Sequence, residues 1–391
     1  MKSKILLLIL CFVASISITL TAGQGQIGMA SATFFYKTAI LTDDLTQNIQ
    51  SDLGQNITSD DSDRKDTTDK QDSSTSPYVN EDNPMMPPNM NDSYEPVISL
   101  TKPMPNLASM FLLTPEVLDK AFSDINIPFN DKARIDYPVF WQIPKSGGSM
   151  VRIVLSQCIS LIEASSLGAT LDDETELRIV ENEFGTKYMN VDTSTIDGIS
   201  RAKDLGLGNS GLVDVIYTPH LYGITRLFSS LNPSHGKLFT ILRHPVDRAM
   251  ALLRKDQGAN PVVFDQMTIV DYVRKGYLGD NDITRALVEK PYGDLTDDDL
   301  FLALHILDTK FVVGLAERLD QSLLLFEEYF GWYKIMDSSP GMYGCQNRFN
   351  APPAARAEEV QEGSLGWHWV LSRNRYDMQL YDYAFYFFQK S

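Results

Sequence analysis

The chain has 391 residues, 51 of them acidic and 34 basic, for a net charge of −17. That balance excludes a protein built around a basic nucleic-acid face, and it disfavours a strongly anionic partner unless basic residues cluster locally. From residue 135 onward enough chain remains for one large α/β domain with a sizeable core.

At the amino end, Lys2 and Lys4 precede an apolar run from Ile5 to Ala14, and moderately apolar residues continue to Ala22. This is a targeting segment. A full span wants roughly 20 apolar residues, and Ser15, Ser17 and Thr19 weaken the second half. Residues 1–22 therefore read either as a signal peptide cut near Thr21-Ala22-Gly23 or as a type II signal-anchor. The positive charge ahead of the run agrees with an amino terminus left in the cytosol. Residues 23–105 read as a disordered acidic stem. Between residues 23 and 100 stand 11 Asp and 2 Glu against 3 Lys and 1 Arg. With few large apolar side chains, such a segment cannot offset its ordering entropy by burial. Asn56-Ile57-Thr58 and Asn91-Asp92-Ser93 are glycosylation sequons, consistent with a lumenal glycoprotein. Residues 106–134 connect the stem to a globular domain over 135–391.

Tyr137 to Ile143 reads as a strand and Met150 to Ile162 as a helix. Between them runs Pro144-Lys145-Ser146-Gly147-Gly148-Ser149. A strand, glycine turn and helix aim backbone N–H groups and a helix's positive end at one spot where a phosphate can sit. Two glycines let the backbone approach the anion closely. Lys145 adds a charge, and Ser146 and Ser149 add hydroxyls. The lysine precedes the glycines, the reverse of the nucleotide-hydrolysing loop, so the expectation is a phosphate cradle that does not hydrolyse ATP.

Tyr188 to Val191 and Val213 to Tyr217 are the next strands, with His220 just past the second. Leu238 to Leu242 reads as a buried parallel strand. Arg243 stands at its carboxyl end, where open α/β sheets place ligands, and offers a planar fork for a phosphate. Pro245 and Asp247 suit the first turn of a helix. Arg248 reads as a structural salt bridge ahead of a ligand contact, and so does Arg285. Thr296 to Asp299 is an acidic helix start before the apolar helix Leu300 to Leu307. Phe311 to Gly314 is a strand, and Leu319 to Phe330 and Tyr376 to Phe388 are amphipathic helices whose aromatic stripes belong to the core. The alternation predicts an α/β fold in three layers, a parallel sheet with helices on both faces. Cys158 and Cys345 either pair or stay free. There is no CxxC, HExxH or EF-hand spacing and no Gly-x-Ser-x-Gly elbow.

Pro144-Lys145-Ser146-Gly147-Gly148-Ser149 resembles the 5′-phosphosulfate loop of sulfotransferases. Leu242-Arg243-His244-Pro245-Val246-Asp247-Arg248 resembles their 3′-phosphate motif, usually Arg-Asp-Pro-x-Glu-Arg. The likeness is closer to the Golgi membrane-bound carbohydrate enzymes of the heparan sulfate type than to the cytosolic ones, and it covers roughly residues 135–391. It implies a P-loop nucleotide-hydrolase-like sulfotransferase fold and 3′-phosphoadenosine-5′-phosphosulfate as co-substrate, with no metal required. Lys145 would contact the bridging and leaving oxygens; Ser146, Gly147, Gly148 and Ser149 would hold the 5′-phosphate, and Arg243 the 3′-phosphate. Arg348, in the loop from Cys345 to Pro353, would add a second contact to the 3′-phosphate.

His220, in Thr218-Pro219-His220-Leu221, matches a Thr-His-Leu-like step whose histidine serves as base, with Pro219 inserted. An unperturbed imidazole pKa of about 6.5 suits that task. The alternative for His220 is a ring bonded to a backbone carbonyl. His235 and His244 are the other bases near that edge, while His305 reads as structural and His368 as packing or acceptor-side. The implied partner is a glycan or glycoprotein acceptor in the Golgi lumen, with a membrane engaged only if residues 1–22 stay attached and a secreted protein if they are cut. The acidic balance favours a neutral or lightly charged sugar hydroxyl. Two departures weigh toward a catalytically inactive nucleotide- or glycan-binding relative. Ala251 stands where the family has a serine, and His244 where it has an aspartate.

Overall fold

The computed structural model describes residues 114–129, 136–171, 175–228, 234–334, 345 and 356–390. The targeting segment, the stem with Asn56 and Asn91, and Arg348 lie outside the described residues.

The fold is mixed α/β, a seven-stranded and mostly parallel sheet flanked by helices. The strands are β1 (Asp136–Trp141), β2 (Glu163–Ala164), β3 (Ile179–Glu181), β4 (Lys187–Met189), β5 (Val215–Thr218), β6 (His235–Leu242) and β7 (Phe311–Leu315). Their order is β3-β4-β2-β5-β1-β6-β7. β3 and β4 pair antiparallel at one edge, so the sheet is not purely parallel as expected. β2 has two residues and β3 has a half-exposed, charged pattern, which is why neither was legible as a strand.

Side chains alternate across the central strands, as the two-residue period of a strand dictates. Val139, Ile216, Leu238, Leu242 and Phe311 share one core with α1 (Glu116–Ala121), α3 (Ile196–Asp204), α6 (Asp297–Lys310) and α9 (Arg375–Phe388). Phe140, Tyr217, Phe239, Ile241 and Val312 share the other with α2 (Gly148–Ile153) and α7 (Leu319–Phe330). A third cluster joins α4 (Pro245–Ala259) to α8 (Leu365–Arg373).

Local chemistry sets the ends. Thr296 and Asp299 form a reciprocal capping box at the start of α6, and Gly331 closes α7 in the left-handed region. The helix expected over Met150 to Ile162 is instead α2 followed by a π-turn, Val154–Cys158. Cys158 is bonded to Cys345, which settles the pairing that the sequence left open. Part of the expected connector belongs to the packed body. Leu118 and Phe122 are fully buried. The buried Lys237 ammonium donates to the carbonyls of Asp124 and Ile127 at 2.7 Å each.

Phe239 is the hub of the second core. Its ring lies 5.0 Å from Phe140, 5.0 Å from Phe326 and 4.9 Å from Phe330, centroid to centroid. Phe239→Ala should lower unfolding stability by about 3–5 kcal/mol, read as a shift of the denaturant midpoint.

Candidate functional site

β1 and β6 are neighbours in the ladder, with Asp136 to Phe140 opposite His235 to Phe239. The chain leaving β1 crosses toward β2 on one side, and the chain leaving β6 proceeds to β7 on the other. Their helices lie on opposite faces of the sheet, α2 on the Phe140 side and α6 on the Val139 side. The crevice between β1 and β6 is therefore a topological switch point, where open α/β sheets bind ligands at the carboxyl ends of the strands. The Lys145 loop leaves one side of that crevice and Arg243 the other.

The loop has an unusual backbone. Lys145 has φ of +60° and Gly147 of +97°. For a lysine this costs roughly 1–2 kcal/mol, while Gly147 adopts it freely. Gly148 is excluded from bearing a side chain for a different reason: a Cβ there would sit 2.9 Å from the Phe140 ring. No side chain caps the start of α2; Met150 N turns back to the Gly147 carbonyl at 3.1 Å, which leaves the N–H groups of Gly148 and Ser149 for another acceptor. Ser146 is 1% exposed and its Oγ has no hydrogen-bond partner. Lys145 and Ser149 are exposed.

Two arginines of the second motif reach this loop. Arg243 Nη1 donates to the Lys145 carbonyl at 3.2 Å, and Arg248 Nε to the Pro144 carbonyl at 3.2 Å. Arg248 also pairs with Asp282 at 3.0 Å, which makes it the structural salt bridge expected. Arg285 is likewise structural, tied to Asp280 at 2.6 Å and to the Lys290 and Gly293 carbonyls.

His244 is a capping and packing residue at this edge. Its Nδ1 accepts from Val246 N at 3.2 Å as the cap of α4, and its ring packs against Trp367 and Tyr381. Burial and then the Arg356 charge push the imidazole down to about 4. His235 is displaced from the expected edge. It begins β6, beside Asp136, at the amino end of the sheet. Arg356, which sequence reasoning missed, grips Asp247 with two bonds of 2.9 and 2.7 Å and lies 5.1 Å over the Trp367 ring. Burial opposes ionisation of Asp247, but Arg356 still holds it below the ordinary carboxylate range. Glu317, also unanticipated, accepts from the His244 backbone N–H at 2.9 Å. Only a contact across more than a hundred residues could have named Arg356, and no local pattern carries that.

His220 follows β5, the other neighbour of β1. Gln142 N donates to the Thr218 carbonyl and Trp141 Nε1 to the Pro219 carbonyl, which holds this segment against the end of β1. His220 Nε2 lies 2.9 Å from the Ser194 carbonyl. A carbonyl only accepts, so Nε2 carries the proton and Nδ1 keeps a lone pair in the neutral ring. The carbonyl-bonded arrangement and a free basic nitrogen thus coexist in one side chain. Asp192 fixes Ser194 through bonds of 2.8 and 2.6 Å.

A cavity of about 280 Å³ lies elsewhere, at the amino edge, lined by residues that include Phe129, Pro138, Leu161, Phe330 and Trp332. No protein-family model, curated protein or solved structure matches the chain.

Because the folded His244 resists protonation until about pH 4 while the unfolded ring takes up a proton near 6.5, its contribution to stability is intact above 6.5 and fades as pH falls toward 4. His244→Asn keeps a capping side chain and should flatten this acid-side slope, by at most about 3 kcal/mol. Urea unfolding at a series of pH values reads it.

Proposed function

We propose that the chain is a sulfotransferase moving a sulfuryl group from 3′-phosphoadenosine-5′-phosphosulfate to a carbohydrate hydroxyl, on a P-loop nucleotide-hydrolase-like sulfotransferase fold. The observation that carries this reading is the contact of Arg243 with the Lys145 carbonyl at the β1/β6 switch point. It joins the two motifs in one place, beside the buried and unpartnered Ser146 hydroxyl. A donor phosphorylated at both ends needs two anion sites on one edge, one at a helix start and one at a guanidinium.

The residues present fit that donor. Ser146, Gly147, Gly148 and Ser149 would hold the 5′-phosphate and Arg243 the 3′-phosphate. Lys145 neutralises charge on the leaving phosphate oxygen, and His220 Nδ1 takes the acceptor proton as the new oxygen–sulfur bond forms and the sulfur–oxygen bond to phosphate breaks. If sulfuryl transfer parallels phosphoryl transfer, the transition state is loose and in line, so positioning and charge neutralisation carry the catalysis. The bond between Cys158 and Cys345 supports an oxidising compartment, in keeping with a Golgi-lumenal or secreted address. A second reading, a non-catalytic relative, is favoured by Ala251 and by His244, which caps a helix and leaves no acid at that position.

Calorimetry with 3′,5′-adenosine bisphosphate against Mg-ATP tests the site. The bisphosphate should bind more tightly, and Lys145→Ala and Arg243→Ala should each weaken it about tenfold or more. A preference for Mg-ATP would sink the proposal. With radiolabelled donor and a glycan panel, His220→Ala should lower turnover about 10²–10⁴-fold with bisphosphate binding retained. Bisphosphate binding without turnover on any glycan would favour the inactive relative.

A further inference from the structure

We propose that Arg248 is a positioning residue that clamps the backbone of Lys145, an inference that rests on the donor site above for its catalytic consequence. Lys145 holds a left-handed backbone at φ +60°. Such a conformation persists only where the surroundings over-determine it. The carbonyls on either side of that residue are both held by the second motif. Arg248 Nε takes the carbonyl of Pro144, and Arg243 Nη1 takes the carbonyl of Lys145 itself. The two peptide planes flanking the lysine are therefore fixed from β6 and α4, elements distant in sequence.

Arg248 is built for this task and for no contact with solvent. It is 4% exposed. Its second arm is anchored at 3.0 Å on Asp282, the first residue of α5 (Asp282–Leu287). That helix is itself fixed from α9. Asp377 accepts from Ile283 N at 3.1 Å and Thr284 N at 2.8 Å, while Asn281 accepts from Tyr376 N at 2.7 Å and Asp377 N at 3.2 Å. The two helix starts cap each other, and Arg248 carries their rigidity into the phosphate loop. A planar fork spans two acceptors in different directions, which a lysine ammonium does not reproduce.

Hydrogen exchange across residues 143–150 of the full chain, without ligand, tests the clamp. Arg248→Lys should speed exchange of the Lys145 to Ser149 amides by about tenfold or more while β6 and α6 keep their protection. Asp282→Ala leaves Arg248 in place without its anchor and should give a smaller change of the same kind. It also serves if Arg248→Lys does not fold. Unchanged exchange in the folded variants overturns the clamp. Turnover gives the catalytic half. Arg248→Lys should lower kcat/KM for the donor about 10–100-fold, and in a Lys145→Ala background it should cost markedly less than in the wild-type chain. Losses that simply multiply would overturn action through Lys145. If the loop responds as expected but the wild-type chain neither binds bisphosphate nor turns over donor, the sulfotransferase reading fails and the clamp stands.

Discussion

The ladder between Asp136–Phe140 and His235–Phe239 brings the ends of β1 and β6 side by side, and the rest of the site follows from that pairing. Parallel strands in register deliver their following loops to the same edge. Because the two chains then turn to opposite faces, neither helix fills the crevice between them. The Lys145 loop and Arg243 are consequently neighbours although 98 residues separate the partners of their hydrogen bond. A one-residue slip of β6 would exchange the residues of its two faces, putting Leu238 and Leu242 where Phe239 and Ile241 pack. Register and core composition therefore fix the site geometry together.

Around that crevice the charged side chains mostly serve the backbone. Arg248 holds a loop carbonyl, Glu317 holds the His244 N–H, and Asp377 holds the start of the helix at Asp282. Burial pushes Asp377 up to about 6 against the pull of Arg248 and two backbone donors. His244 shows the same economy. Where an acid would add negative charge beside the arginines, an uncharged ring caps α4 and packs on Trp367. Asp247 is matched by Arg356 instead of being aimed at the crevice. Charges committed to each other in this way leave Lys145 exposed and, among the described residues, outside any ion pair.

Much of the architecture was legible because its signals are local. Apolar runs marked β1, β4, β5 and β7 to within two residues at each end and β6 at its carboxyl end, and Leu319 to Phe330 matched α7 at both ends because Gly331 closes it. The turn with its lysine and two glycines reads from the same short window. β2 escaped because a strand of two residues has no period to detect, and β3 because Ile179 and Val180 make too short an apolar run to stand out. His235 was expected at the wrong edge because β6 begins three residues earlier than its apolar run, which put the histidine at the amino end.

The sequence by itself determined the sheet-and-helix alternation, the strand, glycine turn and helix around Lys145, and the strand-end position of Arg243 and His220, since each rests on residue type and spacing within about ten residues. Only the tertiary structure decided which strands are neighbours, that Cys158 meets Cys345, that Arg248 pairs with Asp282, and which nitrogen of His220 is protonated. Those facts depend on partners brought together by burial of two apolar faces against one sheet, and burial is a property of the whole chain that no short window of sequence contains.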